Sequence, residues 1–181
     1  MGVSMSKVTV SGHPGSGTST LVDGLTQHFG WNSINGGEIF RREAENRSLT
    51  LAEFGVLCTK DESVDRELDK TLQQYIADNE TNIVESRLAG WWAFKMKTKC
   101  VRIWLSVSEA TRADRVSKRE DIALDIAQEN NAARLLLDNE RYQNMYGIIP
   151  DDPTPYTHII DATNISAQEV LEQAIMIMEE F

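Results

Sequence analysis

The sequence predicts a three-layer α/β domain, a parallel sheet covered by helices on both faces. Three observations carry this. Short apolar, β-branched runs recur along the 181 residues, and stretches with helical spacing separate them. Strands separated by helices pair in parallel through right-handed crossovers. A glycine-rich turn, SGHPGSGTST at 11–20, directly follows the first apolar run. In an open sheet of this kind ligands collect at the carboxyl ends of the strands.

The elements follow in order. Lys7 to Val10 is a buried strand. Thr18 to Phe29 is a helix, because Leu21, Val22, Leu25 and Phe29 share one face. Ile34 closes a weak second strand, and Gly36-Gly37 reads as a turn. Helical segments then run from Glu38 to about Asn79. Ile83-Val84-Glu85 is a third strand, and Val101 to Val107 a fourth. Helical stretches near Glu109 to Arg119 and Ile122 to Tyr146 precede a last strand, His158 to Asp161. Ser166 to Phe181 is a final helix, and Ser166 with Glu169 has the spacing of a capping box. Gly90, Gly147 and the Pro150 to Pro155 segment read as flexible points or plain turns. With no repeat, low-complexity stretch or linker, the chain reads as one domain with a sizeable core.

Composition narrows the partners. With 18 basic and 28 acidic residues the formal charge is −10, which does not suit non-specific binding to nucleic acid or to an anionic membrane. No apolar run approaches the ~20 residues of a membrane span, and MGVSMSKVTV lacks the apolar segment of a secretory signal. Cys58 and Cys100 stand in no paired motif and read as free thiols of a reducing cytoplasm. A cytoplasmic monomer is the expectation. The three histidines are scattered, without zinc spacing.

The turn at 11–20 carries the strongest chemical signal. Gly12, Gly15 and Gly17 let backbone N–H groups point inward at an anion, and the following helix aims its positive end at the same place. Gly12, His13, Pro14, Gly15, Ser16, Gly17, Thr18, Ser19 and Thr20 therefore read as a site for a nucleotide phosphate. Ser19 stands where the pattern G-x-x-x-x-G-K-[ST] places a magnesium ligand, but Thr18 stands where it places lysine. The missing positive charge must come from elsewhere. No Ser-His-Asp arrangement suggests a covalent intermediate.

Arginines are suited to that task, since each offers a planar fork of donors to phosphate. Arg112, Arg115, Lys118 and Arg119 cluster in RADRVSKRE, with Arg115 and Arg119 on one helix face. Arg134 and Arg141, seven apart, share a face of the next helix. Taken singly, each fits a solvated helix equally well. Arg41 and Arg87 follow strand or turn signals and would sit at the binding edge, facing a second phosphate group. Arg42 is the alternative to Arg41.

These residues together resemble the nucleoside monophosphate kinases, and within them the short, archaeal-type cytidylate kinases. The resemblance runs from Lys7 nearly to the end, through SGHPGSGTST, NGGEIFRREAENRSLTLAEF, ESVDRELD, IVESRLAGWW, IWLSVSEATRADRVSKRE, ERYQNMYGI and YTHIIDAT. ESRLAGW with RYQNMYGI is the most specific pair. The resemblance implies an adenylate-kinase-like P-loop fold: a core of 1–37, 81–114 and 147–181, a monophosphate-binding insertion of about 38–80, and a lid of about 115–146. It implies transfer of a phosphoryl group from ATP, with Mg²⁺, to CMP, with dCMP as a second acceptor and UMP a third.

By position, the resemblance gives Gly12 to Thr20 to ATP, with Arg115 against adenine or at the ATP phosphates. It gives Arg41 and Arg87 to the monophosphate, Arg119 to the transferred group, and Arg134 and Arg141 to lid closure over the bridging charge. Asp65 and Asp69 would accept from the cytosine amino group, or form a solvated helix face. Glu85 would orient magnesium through water, or pair with a basic side chain. Trp91 and Trp92 would wall the base pocket, or pack in the core. Competing functions are a kinase for AMP, UMP or shikimate, and a nucleotide-binding module whose catalysis Thr18 has impaired.

Overall fold

The computed structural model describes residues 8–78 and 80–181. The expected strand residue Lys7 and the expected helix end Asn79 lie outside them. Five parallel strands form the sheet in the order β2–β3–β1–β4–β5: β1 (Val8–Gly12), β2 (Ser33–Asn35), β3 (Ile83–Glu85), β4 (Val101–Ser106) and β5 (His158–Asp161). β1 lies at the centre, and Val8, Thr9 and Val10 are fully buried. Cover on both faces explains why β1 reads as a continuous run rather than an alternating one.

The helices are α1 (Thr18–Phe29), α2 (Gly36–Asn46), α3 (Leu51–Lys60), α4 (Glu62–Ala77), α5 (Ala89–Lys95), α6 (Glu109–Glu120), α7 (Leu124–Tyr146) and α8 (Ala167–Glu180). One face of the sheet packs Val8, Val10, Ile83, Ile103 and Leu105 against Leu21, Val22 and Leu25 of α1 and Val170 of α8. The other face joins Ile34 and Val84 to Ile76 of α4, Trp92 of α5 and Ile148. Two smaller clusters stand apart from the sheet. Phe54, Ala44, Cys58 and Val64 lie among α2, α3 and α4, and Ala113, Val116 and Ala127 pin α6 to α7. Burying each large aliphatic side chain contributes about 1.5–3 kcal/mol, so these clusters fix the helices that carry the site. Cys58 and Cys100 are free and buried, and burial raises the Cys58 thiol to about 11. The Ser166–Glu169 capping box is present on α8.

Three expectations are corrected. Gly36-Gly37 is not a turn but the opening of α2, because the Asn35 side chain caps the helix by accepting from the Glu38 N–H at 2.7 Å. Helix α5 was not foreseen. Its N-cap is Leu88, which makes no capping hydrogen bond, and LAGWWAFK is apolar on nearly every side, so no polar cap or clear 3.6-residue stripe announces it. Gly90 is not a flexible point: it lies in α5, its N–H reaches Ser11 Oγ at 3.3 Å, and a Cβ there would overlap the Tyr156 ring. The Pro150 to Pro155 segment is held as a turn, with Tyr156 Oη donating to the Pro150 carbonyl at 2.5 Å. Gly147 ends α7 with φ +64°. Among the described residues no helix is long and apolar enough to cross a membrane.

Candidate active site

The register of the sheet sets the site. Val10 pairs with Glu85 and Gly12 with Leu105, so the carboxyl end of β3 comes level with the glycine loop that leaves β1. The loop is wound by local chemistry. Gly15 and Gly17 take φ of +82° and +90°, a region that costs other residues strain. A Cβ on Gly15 would come within 2.9 Å of the Arg112 carbonyl. Ser16 is buried, and its Oγ donates to the His13 carbonyl at 2.5 Å. Gly17 makes no side-chain cap for α1, so the first N–H groups of that helix face the cleft without an internal partner.

Two arginines brace the loop from behind. Arg112 is buried, and its guanidinium reaches the carbonyls of Val107 at 3.3 Å and Pro14 at 3.4 Å. Burial lowers its pKa. Arg115 donates to the carbonyls of Ser16 at 3.1 Å and Ala162 at 2.8 Å. Both terminal nitrogens of its guanidinium are thus engaged with backbone carbonyls. His13 lies edge-on to Trp104 at 5.0 Å and 3.4 Å from Asp151. Burial lowers its pKa, against the opposing pull of Asp151.

A cleft of about 990 Å³ runs from the loop to the insertion helices. That is the top of the ~300–1,000 Å³ range of ligand sites and leaves room for two ligands. Arg41, Arg87, Arg115, Arg119, Arg134 and Arg141, from four separate segments of chain, all line it. Arg42 points elsewhere and pairs with Glu38, one turn back on α2. Arg119 is largely exposed and touches Glu120 at 2.7 Å.

The acidic residues are placed just as definitely. Asp65 is buried and lies 3.4 Å from Arg141, while Asp69 accepts from Tyr146 Oη at 2.5 Å. Both line the cleft, which excludes the solvated-face reading of this pair. Burial raises the pKa of each, and it raises that of Tyr146. Trp92 sits in the core behind the cleft, and Trp91 Nε1 donates to the Ile149 carbonyl at 3.0 Å. Neither wall residue of the base pocket is therefore a tryptophan. Glu85 has no basic partner; it accepts from Ser19 Oγ at 2.9 Å.

The Ser19 hydroxyl and Glu85 carboxylate form a small set of hard oxygen donors at the mouth of the loop. Among the described residues no group of three or more His, Cys, Asp or Glu side chains gathers to hold an ion. Such a sparse set fits magnesium, which keeps several waters and takes its remaining ligands from phosphates.

Sequence reasoning missed Asp138 and Tyr142. Asp138 lies 2.5 Å from Arg87 and 3.7 Å from Arg141, and Tyr142 Oη accepts from Arg141 at 2.9 Å. A signal existed: Arg134, Asp138, Arg141, Tyr142 and Met145 follow the 4-3-1-3 steps of one helix stripe, and all five line the cleft.

A parallel sheet with a glycine-wound anion loop, six arginines and a two-ligand cleft defines a phosphate-loop kinase. The AAA domain family matches residues 8–137. The cytidylate kinase of Halobacterium salinarum is 41% identical over 149 residues, covering 82% of this chain and 77% of its own. Those of Methanosarcina mazei (38%, 92% of both chains) and Pyrococcus abyssi (40%, 90% and 88%) agree along nearly the whole length. A gluconokinase from Sinorhizobium meliloti superposes with a TM-score of 0.63 at 14% identity, over 98% of this chain and 93% of that one. A shikimate kinase from Acinetobacter baumannii gives 0.62 at 10%, over 98% and 95%. These two share the fold. The chain belongs to the cytidylate kinase family.

Proposed function

We infer that this protein phosphorylates CMP with ATP, by direct in-line transfer and without a covalent intermediate. The observation that carries it is the convergence of six arginines and the glycine loop on one cleft whose far end holds two aspartates, Asp65 buried and Asp69 half-buried. A pure nucleotide sensor has no need of that second, acidic end, and relatives along nearly the whole chain are cytidylate kinases.

The loop from Gly12 to Thr20 holds the outer phosphates of ATP through backbone N–H groups and the first turn of α1. Arg115 presents its face to adenine. Arg41 and Arg87 grip the acceptor's phosphate, and Asp65 and Asp69 accept from the cytosine amino group. Arg119, Arg134 and Arg141 neutralise the transferred group, which supplies the charge that Thr18 lacks. Phosphoryl transfer is largely positioning plus such neutralisation. Ser19, and Glu85 through water, would hold Mg²⁺, which would supply positive charge to the phosphates of ATP. Residues of about 115–146 act as the lid and about 38–80 as the acceptor-binding part; closure of both excludes water. The proposal extends to dCMP, because the charged residues answer to base and phosphate, which CMP and dCMP share.

A coupled assay of purified protein with ATP, magnesium and a panel of CMP, dCMP, UMP, AMP and shikimate tests it. Turnover is expected with CMP and dCMP first. Turnover of AMP or shikimate above CMP, or none that exceeds an Arg141→Ala protein, overturns it.

A further inference from the structure

The two arginines assigned to the acceptor's phosphate are not in the same state. Arg41 is exposed and makes no hydrogen bond or ion pair with the described residues. Arg87 is only 14% exposed, and Asp138 Oδ2 sits 2.5 Å from its Nη1. Asp138 is itself 16% exposed, and its other oxygen lies 3.7 Å from Arg141 Nη2. Arg141 Nη1 continues the chain to Asp65 at 3.4 Å. Four charges, two of each sign, therefore alternate across the cleft and sum to zero. They come from three places: Asp138 and Arg141 from α7, Arg87 from the turn after β3, Asp65 from α4.

We propose that Asp138 is a stand-in for the acceptor's phosphate: its carboxylate holds Arg87, and the phosphate monoester of the acceptor must displace it to bind. The proposal rests on the reading of Arg87 as an acceptor-phosphate residue. The exchange is chemically plausible in direction, because a phosphate monoester carries about −1.5 to −2 charge and three acceptor oxygens against the single charge of a carboxylate, and guanidinium binds it as a fork. The half-buried Arg87 is never left unpaired, a state that costs far more than an exposed charge. Asp138 thus lowers acceptor affinity, keeps stray anions off Arg87, and retakes it as product leaves. The same exchange removes one of the pairs that tie α7 to the sheet side of the cleft, while Arg141–Asp65 and Tyr146–Asp69 remain.

Asp138→Asn keeps the shape and removes the charge. Isothermal titration of this variant with CMP and with inorganic phosphate is expected to show 5- to 10-fold tighter binding of both, with cytidine unchanged and kcat/KM for CMP raised through KM. In an Arg87→Gln background the same substitution is expected to leave phosphate affinity unchanged. Unaltered or weaker phosphate binding, an effect that persists without Arg87, or a fall in kcat at constant KM overturns the proposal; the last would make Asp138 a positioning residue. Should the Asn variant not fold, Asp138→Ser carries the same measurements. The inorganic phosphate arm judges Asp138 whatever the nucleobase, whereas absence of CMP turnover by the unmodified protein defeats the functional reading instead.

Discussion

The loop from Gly12 to Gly17 offers an anion its backbone N–H groups, wound by two left-handed glycines and braced by Arg112 and Arg115. The stripe of α7 from Arg134 to Met145 offers side chains, and these are already paired with Asp65, Asp138 and Arg87. The first region is a short continuous stretch of sequence, Gly12 to Gly17. The second draws partners from residues 65 and 87 and has to exchange them. Backbone donors cost no reorganisation at the moment of reaction, whereas guanidiniums on a lid deliver full charge and can be withdrawn. In the proposed mechanism, a kinase without the loop lysine draws its charge from the exchangeable region rather than the rigid one.

The largest expected effect breaks the exchangeable half. Arg141→Ala is expected to lower kcat by about a thousandfold or more, in the range of an arginine that neutralises a transferred phosphoryl group. Steady-state kinetics measure it, and a loss under tenfold would place the charge elsewhere. Gly15→Ala breaks the rigid half. The residue must keep a φ of +82° with its Cβ against the Arg112 carbonyl, which costs on the order of 1–3 kcal/mol. Weaker ATP binding and a lower melting temperature are expected; unchanged values of both refute the account of the loop.

Thr18→Lys sharpens the comparison by restoring charge to the loop. Because the lid arginines already line the same cleft, kcat is expected to change by less than about tenfold in either direction, far less than in Arg141→Ala. A gain of a hundredfold would show the native site to be impaired. The smallest effect concerns Asp69. Burial raises its folded pKa above the ordinary 3.8, so at neutral pH folding holds a desolvated carboxylate, and the stability linked to its protonation is lost as pH rises through the folded pKa. Asp69→Asn is therefore expected to raise the melting temperature slightly at pH 7 while weakening CMP binding. Melts across pH should show the gain shrink as pH falls through the raised folded pKa toward 3.8 and vanish below it, where aspartate is neutral in both states. A gain that grows toward low pH would reverse the assignment.

Much of this was legible in sequence for identifiable reasons. Val8 to Val10, Ile83 to Glu85 and Val101 to Ser106 are short β-branched runs that only strands accommodate. The helix from Thr18 to Phe29 and the capping box of α8 read directly from spacing. The opening of α2 was misread because Gly36-Gly37 is a turn signal, and the Asn35 cap that overrides it counts only once the chain is folded. Gly90 looked like a hinge because only Tyr156, 66 positions on, shows what the missing Cβ makes room for.

What the sequence by itself determined is the anion loop, the alternation of strand and helix, and the supply of arginines on definite helix faces. All are local, set by φ/ψ preference and by periods of two and 3.6 residues. Only the tertiary structure decided which charges meet. Arg41 has no partner among the described residues while Arg87 is held by Asp138, Glu85 takes a serine rather than a lysine, and Asp65 and Asp69 line the cleft beside Arg141 and Tyr146. Those pairings join residues as many as 77 positions apart, and distance through space has no local signature in a chain.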